Sequence, residues 1–97
     1  MDYKIFWTDE SIRNLEDILA YLKSEWTNKE VDRFKVKLSK QIDIISKNPL
    51  IFPVSQYQNR LRKAVLSKHT SVFYEIKGNQ IYIAYLFSNR MDIKKIN

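Results

Sequence analysis

Five side chains that could do phosphate chemistry fall within ten residues: Arg60, Arg62, Lys63, Lys68 and His69. Guanidinium and ammonium groups hold phosphate oxygens and stabilise charge that develops on them. An imidazole titrating near neutrality can give or take the accompanying proton. The run that carries most of them, "LRKAVLSKH" from Leu61 to His69, reads as a short strand. Period-two pleating sends Arg62 and Lys68 to the face of Ala64 and Leu66, and Lys63 to the face of Leu61 and Val65. Arg62 is expected on an uncovered, basic sheet face, with Lys68 beside it and Arg60 or Lys63 near the rim. Arg90, just beyond the last strand, is expected to converge on the same face.

The elements that must position these groups follow from periodicity. Tyr3, Ile5 and Trp7 alternate with Lys4 and Phe6, which predicts a first strand over 3–7 with apolar groups on both faces. Thr8-Asp9-Glu10-Ser11 then supplies oxygens for the free amides of a helix start and negative charge for its dipole. Ile12, Leu15, Ile18, Leu19, Leu22 and Trp26 form one apolar stripe, so a helix is expected from about 9 to 25. Thr27-Asn28 offers a fresh cap, and Val31, Phe34, Leu38, Ile42 and Ile45 repeat the stripe, with Lys35, Lys37 and Lys40 between them. The short link makes the two helices an antiparallel hairpin.

Asn48-Pro49 ends the second helix, and Pro53 prolongs an irregular connection to about Asn59. From Leu61 the period is two. A strand over 61–68 is followed by Val72–Ile76 and Ile81–Phe87, joined through Gly78-Asn79, which tolerate positive φ in a tight turn. The order is β-α-α-β-β-β in a single domain spanning 1–97. It is an α+β fold in which the helical hairpin packs on one face of a mostly antiparallel four-stranded sheet.

Composition narrows the partners. The chain has no cysteine and one histidine, so neither a thiolate metal site nor a histidine cage can form, and no metal or cofactor is expected. No run approaches the length of a membrane helix and the N-terminus lacks a leader pattern, so a cytoplasmic location and no membrane role are expected. The net charge of +6 is uneven: residues 1–30 carry −3 and residues 31–97 carry +9. A field polarised in this way suits an acidic partner or a nucleic acid.

The order of elements, the first strand and helix in "IFWTDESIRNLEDILAYL", the helix end "LSKQIDIISKNP", the block "RKAVLSKHTSVFYEIKGNQIYIAYLF" and the tail "NRMDIKKI" together resemble the RelE/ParE superfamily of bacterial type II toxins, in its plasmid-stabilisation branch. Ile93 stands where that branch commonly has a proline. The resemblance implies a toxin that arrests growth and is neutralised by a cognate acidic antitoxin. It also implies one of two targets: DNA gyrase for ParE-like members, or the ribosome and its mRNA for RelE-like endoribonucleases, which need no metal. Matched to the RelE-like strand pattern, Arg62 answers the first cation and Arg90 the arginine after the last strand. Ala64 and Ser71 fall where further cations are expected, and the tail has no tyrosine or histidine.

The nuclease set is thus incomplete, which favours the ParE-like reading. Ribosome-dependent cleavage, or a non-toxic relative that only binds antitoxin or nucleic acid, is the alternative. If the chain is a nuclease, Arg62, Arg90 and His69 are its catalytic candidates. Arg60, Lys63, Lys68 and Tyr74 are the candidate substrate-binding groups, and Glu75 is a further possible base. Tyr74, Tyr82 and Tyr85 could stack on bases, with at least two of the three expected to be structural.

Overall fold

A computed structural model describes residues 2–89. Strand β1 (Lys4–Trp7) leads into helix α1 (Asp9–Glu25), helix α2 (Asn28–Lys47), a 3-10 turn (Pro49–Ile51), and strands β2 (Arg62–Val65), β3 (Thr70–Lys77) and β4 (Gln80–Ser88). Both helices start where a threonine oxygen replaces a missing backbone acceptor. Thr8 Oγ1 accepts from the Ser11 amide at 3.1 Å and Thr27 Oγ1 from the Glu30 amide at 3.3 Å. The α2 helix ends at Asn48, whose amide donates to Ile44 O, and Pro49, which has no N–H to donate, begins the 3-10 turn. Only Trp26 and Thr27 separate the helices, which forces the antiparallel hairpin.

The sheet order is β1-β4-β3-β2. Strand β1 runs parallel to β4 (Phe6 opposite Tyr82), whereas β4–β3 and β3–β2 are antiparallel, so the sheet is mixed. The parallel pair brings the first strand beside the last. Gly78, at φ 61°, makes the tight β3–β4 turn in the left-handed region. The core lies between the sheet and the hairpin: Ile18, Leu22, Val31, Leu38 and Ile45 from the helices meet Ala64, Val72, Tyr74, Ile81, Ile83 and Leu86 from the strands.

Strand β2 is shorter than the expected 61–68. The amides of Leu66 and Ser67 both donate to Thr70 O, which turns the chain after Val65 and leaves Lys68 exposed in that turn.

The register of β3 against β4 slips once. Phe73 faces Tyr85 and Tyr74 faces Ile83, so Ala84 is an extra residue and forms a β-bulge. Because side chains alternate, the extra residue reverses the parity of everything after it. Ile81 and Ile83 point inward before it and Leu86 after it, while Tyr82 lies on the opposite face together with Tyr85 and Phe87.

Where β1 stops, α1 takes over the edge of β4. Thr8 Oγ1 donates to the carbonyls of Ile83 and Ala84 at 2.8 and 2.9 Å, and Asn14 Oδ1 accepts from the Leu86 amide at 3.0 Å. The Asn14 amide is oriented from its other end, where it donates to Glu10 Oε2 at 2.9 Å. That bond, with help from the Arg13 guanidinium, holds the Glu10 carboxyl below the usual carboxylate range. Thr8 is therefore both a helix cap and an edge cap. Replacing it by alanine (Thr8→Ala) is expected to cost about 1–2 kcal/mol in urea unfolding, with Thr8→Ser nearly neutral.

Candidate functional site

The hairpin covers one face of the sheet and leaves the other open. Parity assigns the open face. In β2, Ala64 is fully buried while Lys63 and Val65 are exposed. Lys63 pairs with Phe73, Phe73 with Tyr85, and Glu75 with Tyr82. Tyr82 pairs in turn with the exposed Phe6. That face thus carries rings in rows across the strands, with Phe6 and Phe87 exposed, Tyr82 and Tyr85 half-buried, and Phe73 buried.

Two stacked pairs form its centre. The Phe73 and Tyr85 rings lie 4.6 Å apart at 18°, and those of Phe6 and Tyr82 lie 5.3 Å apart at 22°. Cations sit over both pairs: Lys63 Nζ is 6.0 Å from the Phe73 centroid and Lys77 Nζ is 5.3 Å from that of Tyr82. Arg60 forms a 3.1 Å ion pair with Glu75, which continues the row of Phe6 and Tyr82, and Tyr82 donates its hydroxyl to Gln80 Oε1. Phe87, 44% exposed, extends the platform toward the end of β4. The arrangement offers flat apolar surface with cations at its margin, which suits binding to a partner surface or to stacked bases.

Arg62 is not part of it. The expectation that Arg62 lies on the open face is corrected, because it shares the inward parity of Ala64 and its guanidinium donates to Phe52 O at 2.7 Å and to Leu50 O at 3.4 Å. These carbonyls belong to the 3-10 turn and the residue that follows it, which no sheet ladder serves. Arg62 supplies their donors, so the charge on a half-buried strand position is structural in placement.

Tyr74, expected among the substrate-binding groups, is likewise on the covered side. It is fully buried, stands opposite Arg62 in the ladder, and donates its hydroxyl to Pro49 O at 2.5 Å. Burial pushes its hydroxyl pKa up to about 12, against a smaller opposing influence of the Arg62 charge.

His69 sits in the β2–β3 turn. Its amide donates to Ser67 Oγ, its Nδ1 lies 3.0 Å from Asn89 Oδ1, and its carbonyl accepts from the Asn89 amide. The ring contact and the backbone bond together fasten the turn to the residue after β4. Arg90 lies outside the described residues. Of the sequence candidates, the structure brings Lys63 and the Arg60–Glu75 pair to the open face, and places Arg62 and Tyr74 beneath it. Phe6, Phe73 and Phe87 were not anticipated there. The alternation of Lys4 and Phe6 against Ile5 and Trp7 was the available signal for Phe6, but both sets contain apolar groups.

A second concavity runs beside the hairpin. Trp7, Leu15, Leu19, Leu38 and Ile42 line an apolar groove of about 400 Å³ with Lys35 at its margin. Among the described residues no group of His, Cys, Asp or Glu could hold a metal ion, and no helix is long and apolar enough to cross a membrane.

A family model for the ParE toxin of the type II toxin–antitoxin system parDE matches residues 5–93. No curated protein matches the chain. Among solved structures, the chromosomal ParDE toxin–antitoxin system of P. aeruginosa superimposes with a TM-score of 0.75 at 16% identity, covering 89% of this chain and 95% of the other. The RelBE2 toxin–antitoxin complex of Mycobacterium tuberculosis gives 0.64 at 13% identity, with 91% and 99% covered. The DinJ–YafQ toxin–antitoxin complex of E. coli gives 0.63 at 10%, with 94% and 97% covered. At these identities the structural matches speak for the fold.

Proposed function

The chain belongs to the ParE toxin family of type II toxin–antitoxin systems, and from that premise we propose that it arrests growth by binding and inhibiting DNA gyrase. The observation that carries this choice is the position of Arg62. Cleavage of RNA through its 2′-hydroxyl needs a base, charge at the phosphate and an acid for the leaving oxygen. Arg62 was the strand cation best matched to the charge role, and its Nη1 is turned to backbone carbonyls on the covered side, away from the open face. The strand carboxylate on the open face, Glu75, is held by Arg60. The open face then acts as a recognition surface, where stacked rings and marginal cations bind a protein target without chemistry.

The partner that silences the toxin is a cognate antitoxin. The parDE system of the matching family and the toxin–antitoxin systems among the similar structures support this. The groove lined by Trp7, Leu15, Leu19, Leu38 and Ile42 gives an apolar segment of that antitoxin a seat, and Lys35 gives a nearby carboxylate its counter-charge.

Purified protein added to gyrase supercoiling reactions and to programmed ribosomes separates the two targets. The expected result is loss of supercoiling with mRNA left intact, and at least a tenfold weaker inhibition by a Phe6→Ala, Phe87→Ala variant that melts like the parent. Codon-positioned cuts in the mRNA, abolished by Glu75→Gln, would replace this reading with the ribonuclease one.

A further inference from the structure

The outward face of α2 carries a second charged surface, remote in parity from the core. At 100° per residue, Val31, Leu38 and Ile45 mark the buried side. Lys29, Arg33, Lys37 and Lys40 project from the opposite side, and together with Asp32 and Val36 they line one shallow depression. All four cations are exposed. Arg33 shares its guanidinium with Glu30 at 3.2 Å, and Lys47 further along pairs with Asp43. Among the described residues, no carboxylate lies within ion-pair distance of Lys29, Lys37 or Lys40. Three of the four cations follow one another at four-residue steps, about 6 Å along the axis.

We propose that this face of α2 docks on the sugar–phosphate backbone of duplex DNA. The spacing favours a polyanion over a protein helix. A docked helix needs a contiguous apolar seam at i, i+3 or i+4, and i+7. Here positions 33, 37 and 40 are cationic, so the exposed Val36 and Ile44 stand about 12 Å apart with a lysine between them. Duplex DNA instead presents one charge per about 1.7 Å of its axis, so a straight row of cations about 16 Å long meets phosphates in any register. The stripe has no aromatic side chain, which removes the stacking that single strands reward. The proposal rests on the charge geometry of α2 and not on the gyrase reading, so either can fail without the other.

The test is fluorescence anisotropy of the intact protein, without gyrase, on a labelled 20-base-pair duplex of arbitrary sequence between 50 and 200 mM salt. With about four phosphates neutralised, log K should fall with log salt at a slope near −3.6. In a Lys29→Gln, Lys37→Gln, Lys40→Gln variant the slope should shrink by about 2.7 and affinity at 50 mM should drop at least tenfold. Glutamine keeps helix propensity close to that of lysine, and a melting curve checks the fold. A Lys63→Gln, Lys77→Gln variant on the sheet face should bind as the parent does. Absence of duplex binding at 50 mM, unchanged binding in the α2 variant, loss in the sheet-face variant, or displacement by polyglutamate at equal charge concentration would each overturn the proposal, the last in favour of an acidic protein segment.

Discussion

A Tyr74→Ala variant is expected to unfold roughly 15–30 °C below the parent. Tyr74 is the largest of the fully buried side chains, and it spans from the β3 backbone to the carbonyl of Pro49. Its ring also meets Phe52 edge-on, with centroids 6.3 Å apart at 88°. Truncating a buried aromatic to alanine costs about 3–5 kcal/mol from lost burial and the cavity left behind. For a domain of this size each kcal/mol is worth about 4–8 °C.

Tyr74→Phe dissects the effect. It keeps the ring and removes one hydrogen bond, leaving Pro49 O without that donor, so a loss of about 1–2 kcal/mol is expected. The same hydroxyl gives the protein an alkaline limit. Its pKa lies near 10 in the unfolded chain and about 12 in the fold, so the neutral form is favoured when buried. The folded state therefore holds the proton more tightly. This contribution is complete below pH 10 and is lost progressively as pH rises through about 12. Chemical denaturation from pH 9 to 12 should show this decline in the parent, and a shallower one in Tyr74→Phe.

Insertion of a second alanine after Ala84 is expected to remove the native state altogether. With two extra residues where the ladder accommodates one, residues 85–88 shift by one position against β3, turning Tyr85 and Phe87 toward the helices and Leu86 toward solvent, whereas deletion of Ala84 merely removes the bulge and keeps every pairing from Tyr85 to Ser88. Loss of the buried Leu86 alone costs about 2–5 kcal/mol, and forcing two aromatic rings into a filled core adds overpacking strain of about 1–3 kcal/mol. The total is comparable with the whole stability of a small domain, about 5–15 kcal/mol. The measurement is the amide proton spectrum, which should lose the dispersion of a folded sheet. Ala84→Gly keeps the residue count and the bulge, and should retain dispersion with a cost near 1 kcal/mol.

These residues also show where the sequence was legible. Thr8 and Thr27 capped helices whose apolar stripes left little choice, and Gly78 marked a turn that only a permissive residue makes easily. Strand faces were harder. Ile81, Ile83, Tyr85 and Phe87 line up under strict alternation, and a bulge leaves no local mark when the extra residue is an alanine. Arg62 misled for a related reason. A cation on an apolar strand face looks like a site until the carbonyls that need its donors are known, and those of Leu50 and Phe52 come from a turn ten or more residues earlier. The two prolines at 49 and 53 were the hint, because they limit the amides available nearby. The Arg60–Glu75 pair depends on a loop position that periodicity does not address.

The neighbouring placement of β1 and β4 sets the timing of maturation. Thr8 reaches carbonyls 75 and 76 residues away, and the short parallel ladder beside it joins Lys4 to Gln80. During synthesis, the helical hairpin can form early from local contacts, whereas the sheet cannot close until the last strand has left the ribosome. A nascent copy consequently lacks its ring platform until β4 has emerged, giving the cell an interval in which a freshly made antitoxin can be waiting.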